Sequence, residues 1–405
     1  MTDAAGGFGS PARTGQQHAR FPCFDGLRAM AAFAVLLTHV AYITGFDFRS
    51  SIGALTARLD VGVAVFFLIS GFLLYRPFVV ARLEGGPPPR VAAYFWRRGL
   101  RIFPAYWLAL TITIFVLHIP ADIPDAKDLF LYYGLLHLYS LDTLFGPILA
   151  SYTLVTEVSF YVFLPIYAFA IGFRPVPAIQ HVRRDLLALA GLFVAGVGYR
   201  VAVSLADPPG RRDFQLQNIL PGWIDVFAVG MALAVLSAWY AHRRSAGPPI
   251  LSRPWMPAAS WGLSALALLL VSTYVGAPTP SEVFSVSEEL SIHYLYLAVA
   301  FFLLLPAIFG PQDRSPVRAF LRNPVVAWLG LISYGVYLWN EAIIEKYLDW
   351  TDRTPFNTYL GSMLLVVVIV TIAVAATSYY ALERPVLRLK SRVPDRRRSL
   401  TSSRD

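Results

Sequence analysis

The chain has 405 residues, carries a formal net charge of +9, and is 56% hydrophobic but only 15% charged. Soluble domains have about 25% charged residues, so this composition argues against an ordinary soluble fold and favours a lipid environment. The single cysteine, Cys23, excludes an intramolecular disulfide and argues against zinc or iron–sulfur sites built on thiolates.

Long apolar blocks predict membrane-spanning helices. About 20 apolar residues suffice for a helix to cross the hydrocarbon core. Ten such blocks occur, in chain order Leu27–Gly45, Val61–Ala81, Leu100–His118, Tyr152–Phe173, Asp185–Ala206, Ile219–Tyr240, Met256–Gly276, Leu290–Phe309, Val325–Tyr347 and Tyr359–Leu382. A shorter block, Leu129–Leu141, is too short to span and is typical of a re-entrant or interfacial segment. The predicted fold class is all-α, a polytopic integral membrane protein with about ten transmembrane helices.

The distribution of Lys and Arg predicts how these helices are oriented. With ten spans, both termini lie on one side of the membrane, and that side collects 26 of the 34 basic residues while the other side has 8. Basic residues accumulate in cytoplasmic loops. We therefore predict cytoplasmic termini and a multi-pass location in the plasma membrane. Counting the short block as a span would reverse every later loop and remove this bias.

Three regions follow from this organisation. Residues 1–20 are small and polar and are predicted to form a disordered cytoplasmic arm, while residues 21–390 form the membrane domain. Residues 391–405 are predicted to be a disordered basic cytoplasmic tail that lies on the anionic leaflet. A plain stop-transfer signal explains the same basic residues equally well.

The first span carries two chemically notable residues, Arg28 and His39. They are eleven residues apart, so they lie on nearly the same helix face and about 16 Å apart along the axis. A buried imidazole stays neutral near pH 7 and can accept a proton from a hydroxyl nucleophile. The alternative is a histidine that only packs against a neighbouring helix, and a lone membrane histidine supports both interpretations equally.

A second cluster lies at the cytoplasmic start of the third span. Arg98 and Arg101 are three residues apart and share a helix face, where two guanidinium groups can bind phosphate in a bidentate manner. The alternative is that they serve only to orient the span, as cytoplasmic arginines commonly do.

The fourth span contains Glu157, about a turn and a half from its outer end. A carboxylate at this depth needs a partner or a proton. It could orient the imidazole or bind a substrate hydroxyl, and the alternative is a protonated glutamic acid that bonds a neighbouring helix.

Other polar residues are weaker candidates. In the second span, the small pair Ser70-Gly71 is interpreted first as a site of close helix approach. Further candidates of lower weight are Asp225, Glu289, His293 and the Ser333-Tyr334 pair.

Several familiar motifs do not occur in the sequence. There is no GxGxxG, P-loop, HExxH or Gly-x-Ser-x-Gly motif, and no His/Asp cluster has the spacing of metal ligands. A metal-free transfer that depends on a histidine is the simplest chemistry that the polar residues leave.

Together these segments resemble bacterial acyltransferase family 3, whose members O-acylate surface polysaccharides, glycolipids and macrolides. The resemblance rests on FDGLRAMAAFAVLLTHV, VGVAVFFLISGFLLYRP, FWRRGLRIFPAYW, SYTLVTEVSFYVFLPIY and LISYGVYLWNEAI, which occur in the expected order. It covers about residues 21–390. It implies a ten-span fold and an acyl-CoA donor, with acetyl-CoA as the simplest case, that enters from the cytoplasm. It also implies no permanently bound cofactor and a carbohydrate-like acceptor.

The family's motifs fall on particular residues of this chain. Its Arg-ten-residues-His motif falls on Arg28 and His39. Its Arg-x-x-Arg motif falls on Arg98 and Arg101, where the resemblance implies donor binding. Its Trp-x-Leu-x-x-Glu motif ends at Glu157.

The chain departs from the family pattern at four positions. Tyr152 replaces the usual Trp, and Ala29 replaces the usual Gly after the first arginine. Asn340 stands where His often follows Tyr-Leu-Trp, and Trp223 stands where a basic residue is common. The last two lie in later spans, where we expect the acceptor, so the acceptor's identity stays open.

These observations lead to a hypothesis with two rivals. Arg98 and Arg101, helped by Arg28, are expected to hold the donor's phosphates. His39 is expected to take the proton of an acceptor hydroxyl, and Glu157 to orient His39 or the acceptor. The rivals are a small-molecule or proton-coupled transporter and a structural partner in an envelope complex.

Overall fold

The structure, a computed structural model, describes residues 21–120, 122–173, 176–245, 247–275, 284–312 and 315–393. The described residues are helical and contain no strand, which confirms the all-α fold class. The predicted N-terminal arm, residues 1–20, and all but the first three residues of the predicted tail, residues 391–405, lie outside the described residues.

Each predicted apolar block coincides with one long helix. These helices are α1 (Phe24–Thr44), α2 (Gly62–Leu83), α3 (Val91–Phe115), α4 (Ser151–Ile171), α5 (Ala178–Ala206), α6 (Ile224–His242), α7 (Met256–Val275), α8 (Val286–Ile308), α9 (Pro324–Trp350) and α10 (Leu360–Ser378). Within the described part of the chain, eight helical segments are long and apolar enough to cross a membrane, and they include every long helix except α3 and α9. The protein is therefore a multi-pass helical membrane protein, while the count of ten spans and the cytoplasmic termini stay predictions.

Short helical segments connect the long helices or follow the last of them. They are Phe46–Arg49, Gly53–Ala57, Leu59–Val61, Ala126–Tyr133, His137–Tyr139, Gly210–Asn218, Leu220–Gly222, Pro249–Ser252, Pro316–Leu321, Tyr379–Glu383, Arg384–Leu387 and Arg388–Arg392. The block predicted not to span, Leu129–Leu141, begins inside the helix Ala126–Tyr133, which has 8 residues and is therefore about 12 Å long. A helix of this length cannot cross the hydrocarbon core.

Glycines let two pairs of helices approach closely, α2 with α6 and α1 with α9. A Cβ on Gly71 of α2 would lie 2.6 Å from the carbonyl oxygen of Phe227 in α6, and a Cβ on Gly230 would lie 2.4 Å from that of Leu68. The prediction that Ser70-Gly71 permits close approach is therefore confirmed. A Cβ on Gly330 of α9 would lie 1.9 Å from the carbonyl oxygen of Asp25, so α9 is held backbone to backbone against α1.

Candidate active site

A cavity opens among α1, α2, α3, α4 and α9. Apolar side chains, mostly from α2, form much of its wall, and its polar lining includes Arg28, Ser70, Arg98, Arg101, Glu157 and Tyr161. Four of the five residues predicted for the site, contributed by three helices, therefore face one space. The fifth, His39, is not part of the cavity wall.

The three arginines differ in their partners. Arg28 pairs with Asp25, with 2.9 Å between Nη1 and Oδ1. Arg101 Nη1 lies 3.9 Å from Oε2 of the buried Glu383, and its guanidinium lies over the ring of Tyr334. The buried Nε of Arg98 has no hydrogen-bond partner among the described residues. Arg98 thus keeps a donor nitrogen without a partner, whereas Arg28 and Arg101 each lie beside a carboxylate.

Glu157 is held by two hydroxyl groups. Ser70 Oγ donates to its Oε1 at 2.6 Å, and Tyr161 OH, one helical turn further along α4, donates to the same oxygen at 2.7 Å. These bonds meet the need of this carboxylate for partners inside the bundle. Because both bonds end at Oε1, the other carboxylate oxygen can accept a further hydrogen bond.

His39 is held by the residues of α9. Its Nδ1 lies 2.8 Å from Oδ1 of Asn340 and 3.7 Å from Oε1 of Glu341. The backbone N–H of Ala150 donates to the other oxygen of Glu341 at 2.9 Å. The imidazole keeps 27% of its surface exposed, so it is only partly buried in the bundle.

Tyr337 is the lining residue of α9 that lies closest along this helix to Asn340, the partner of His39. It lines the cavity and lies one turn, about 5 Å along the axis, before Asn340 on α9. Its hydroxyl lies 2.6 Å from Oγ1 of Thr153 and donates to the carbonyl of Ala150 at 3.1 Å. A residue of the cavity wall therefore lies about one helical turn from the residue that holds His39.

The structure does not bring Glu157 to His39. Among the described residues, the hydrogen-bond partners of Glu157 are Ser70 and Tyr161, whereas His39 is held by Asn340. Sequence reasoning noted Asn340 only as a departure from the family pattern, and it missed the bond from Tyr161. The i, i+4 spacing of Glu157 and Tyr161 on one helix was the signal that could have revealed this bond.

The weaker candidates divide into two groups. Ser333 and Tyr334 line the cavity. Asp225 and His293 instead form a buried pair, with 2.9 Å between Oδ2 and Nε2, and exposed side-chain fractions of 0% and 2%. Glu289 accepts hydrogen bonds from Ser204 and Gln217. The Asp225–His293 pair therefore packs α6 against α8 away from the cavity.

The bundle and its polar cavity define a multi-pass membrane protein that can hold an anionic ligand among its helices. A family model described as an acyltransferase domain, that of acyltransferase family 3, matches residues 21–382. The chain therefore belongs to acyltransferase family 3, which confirms the resemblance drawn from its motifs.

Curated relatives are similar over most of this chain. The peptidoglycan O-acetyltransferase OatA of Listeria monocytogenes is 25% identical over 90% of this chain and 55% of its own length. Nodulation protein 10 of Rhizobium leguminosarum bv. viciae is 25% identical over 84% of this chain and 85% of its own. The acyltransferase MdmB of Streptomyces mycarofaciens is 22% identical over 92% of this chain and 93% of its own length.

The chain spans about half the length of OatA and of the putative peptidoglycan O-acetyltransferase YrhL of Bacillus subtilis, 55% in each case. No solved structure matches the chain. OatA, YrhL and MdmB carry acetyltransferase or acyltransferase names, and nothing in these comparisons supports the transporter alternative.

Proposed function

We propose that the protein is a plasma-membrane O-acyltransferase. It moves an acyl group, in the simplest case acetyl, from acyl-CoA to a hydroxyl of a carbohydrate, glycolipid or glycosylated metabolite. The observation that carries this proposal is the meeting of Arg28, Arg98, Arg101 and Glu157 in one cavity. Relatives named as O-acetyltransferases of peptidoglycan support the acetyl group and the carbohydrate acceptor.

The arginine end of the cavity suits the phosphates of coenzyme A. Guanidinium groups bind phosphate through paired, charge-assisted hydrogen bonds, and these contacts are stronger where water is partly excluded. Arg98 is free to make such a contact without first breaking an ion pair. Arg28 and Arg101 would share their charge between a phosphate and their present carboxylate partners.

The donor must reach from the arginines to His39. On α1, Arg28 and His39 lie about 16 Å apart along the axis, a separation that suits the extended pantetheine arm. In this arrangement the phosphates lie near the arginines, and the thioester lies at the Tyr337 end of the cavity. With cytoplasmic termini, His39 lies in the outer half of α1, so the acceptor would approach from the outer side.

The proposed reaction is a direct acyl transfer. The unprotonated nitrogen of His39 takes the proton of the acceptor hydroxyl, whose oxygen attacks the carbonyl carbon of the thioester. The new C–O bond forms, the C–S bond breaks, and the leaving thiolate of coenzyme A takes the proton from the imidazolium. General base catalysis of this kind contributes about 10²- to 10⁴-fold to a rate. The free oxygen of Glu157 can accept a hydrogen bond from the substrate within the cavity.

Membrane vesicles supplied with acetyl-CoA that carries a radiolabelled acetyl group test the proposal. Label is followed into lipid and glycan fractions for the wild type, for His39→Ala, and for His242→Ala as a control at an exposed imidazole at the end of α6. We expect transfer by the wild type and by the control, and none by His39→Ala at equal protein amounts.

Two other outcomes would contradict the role of His39 or the choice of acyl-CoA as donor. Wild-type transfer by His39→Ala would remove this residue as the base. The absence of transfer from acetyl-CoA and from longer acyl-CoAs would overturn the donor assignment, and a counterflow assay would then test transport.

A further inference from the structure

The side chain of Asn340 is fully buried, and its orientation is fixed by its surroundings. Its Nδ2 donates to the carbonyl oxygens of Val336 at 3.0 Å and Tyr337 at 2.8 Å. A carbonyl oxygen only accepts, so the amide nitrogen must face these two groups. A flipped amide would place its oxygen against two other oxygens. The amide oxygen of Asn340 therefore faces Nδ1 of His39.

This orientation determines where the proton of His39 lies. Because an amide oxygen cannot donate, the 2.8 Å bond requires Nδ1 to carry the hydrogen. In a neutral imidazole the lone pair is then on Nε2, and no described residue forms a hydrogen bond with Nε2. Oε1 of Glu341, at 3.7 Å from Nδ1, is too distant to compete for this hydrogen.

We propose that Asn340 is a positioning residue of the transfer reaction, which holds His39 with hydrogen on Nδ1 and the Nε2 lone pair directed to the acceptor hydroxyl. This inference rests on the proposed function, since it takes His39 as the base. In the Ser-His-Asp triad of serine proteases, loss of the correct histidine tautomer costs about 10⁴-fold in kcat although the geometry is kept.

A neutral partner has a different effect from a carboxylate. A carboxylate bonded to Nδ1 would favour the protonated imidazolium, which cannot act as a base, whereas the amide of Asn340 adds no negative charge at Nδ1. The other charged groups near this imidazole are Glu341 on α9, and Asp60 with Arg58 just before α2. At 3.7 Å, Glu341 is close enough to stabilise the imidazolium once it has formed.

Two substitutions and one control test the role of Asn340. Asn340→Leu removes the acceptor, and Asn340→Asp keeps it but adds a charge. Asn323→Ala is the control, because Asn323 caps the N-terminus of the same helix through the N–H of Val325, far from the reacting groups. The assay measures kcat, the KM for acetyl-CoA and the pH dependence of transfer in vesicles, together with thermal unfolding in detergent.

We expect Asn340→Leu to lower kcat about 10²- to 10⁴-fold with little change in the KM for acetyl-CoA. Asn340→Asp should retain more activity than Asn340→Leu at high pH, and the acid limb of its pH–rate profile should move to higher pH. Asn323→Ala should unfold at a lower temperature with an unchanged profile. Wild-type kcat for a folded Asn340→Leu would overturn the proposal. If Asn340→Leu does not accumulate, a pH–rate profile of Asn340→Asp that is not shifted from the wild type would also overturn the proposal.

A chemical readout separates this inference from the proposed function. Diethyl pyrocarbonate modifies unprotonated imidazole nitrogens, so its reaction with His39 can be followed by mass spectrometry without any substrate. We expect modification of the wild type at neutral pH, and a shift of the midpoint to higher pH in Asn340→Asp. Equal midpoints would overturn the role of Asn340 even if acyl transfer is observed. A shifted midpoint without acyl transfer would leave Asn340 as the partner of His39 and contradict the proposed function alone.

Discussion

Replacing Arg98 by alanine tests the proposed donor site with little disturbance of the fold. Arg98 lines the cavity, and its buried Nε has no hydrogen-bond partner among the described residues. A hydrogen bond to a charged group contributes about 1.5–3 kcal/mol, and about 1.4 kcal/mol corresponds to a factor of ten. Loss of one contact with a donor phosphate should therefore raise the KM for acetyl-CoA about 10- to 150-fold. We expect kcat to change little, because this contact is made equally before and during the reaction.

Arg101, three residues further along α3, should behave differently. Its partner Glu383 is only 3% exposed, and neither carboxylate oxygen of Glu383 has a hydrogen-bond partner in the described structure. Arg101→Ala would therefore leave a buried carboxylate without its counter-charge. Breaking a buried pair costs about 3–5 kcal/mol. Arg101 itself is 28% exposed and the pair is separated by 3.9 Å, so we expect a smaller loss of about 1–3 kcal/mol.

The two arginines can be compared in one experiment. The KM for acetyl-CoA is measured in vesicles, and the unfolding temperature is measured on detergent-solubilised protein, for Arg98→Ala, Arg101→Ala and the double variant Arg101→Ala/Glu383→Gln. We expect both single variants to raise KM, but only Arg101→Ala to lower the unfolding temperature, and the double variant to recover stability without recovering KM. A wild-type KM for Arg98→Ala, or equal stability losses in the two single variants, would refute this reasoning.

Three further predictions concern other contacts. Glu157→Gln should lower the rate of acyl transfer. The unfolding temperature should change little, since an amide oxygen can still accept the hydrogen bonds from Ser70 and Tyr161. Wild-type transfer would contradict a role of Glu157 in substrate binding. Gly330→Ala should destabilise the protein by about 1–3 kcal/mol or more, because the new Cβ would lie 1.9 Å from the carbonyl oxygen of Asp25, and the unfolding temperature measures this loss. Asp185→Ala should lower the free energy of unfolding by about 3–5 kcal/mol, because it leaves the guanidinium of Arg82 without a counter-charge. The Arg82 side chain is 0% exposed and pairs with Asp185 at 2.7 Å. An unchanged unfolding temperature would contradict this account.

The sequence by itself determined where the long helices lie and which motifs they carry. Membrane-spanning length and apolar composition are properties of a local stretch of chain, so each predicted block coincides with a helix in the structure. Residues within one helix have a fixed geometry, which is why the shared face of Arg98 and Arg101 could be predicted. The motifs of the first four spans, together with the segment LISYGVYLWNEAI in α9, were also enough to identify the family.

Only the tertiary structure decided the partners of these residues. Asn340 is 301 residues from His39, Ser70 is 87 residues from Glu157, and Glu383 meets Arg101 through the packing of the C-terminal segment against α3. The sequence pattern of a mostly apolar helix does not specify which neighbour it faces or how far it is rotated, because lipid and protein can both cover an apolar surface. Close backbone approach, as at Gly71, fixes these rotations. The assignment of Asn340 to His39 therefore became visible only in the folded bundle.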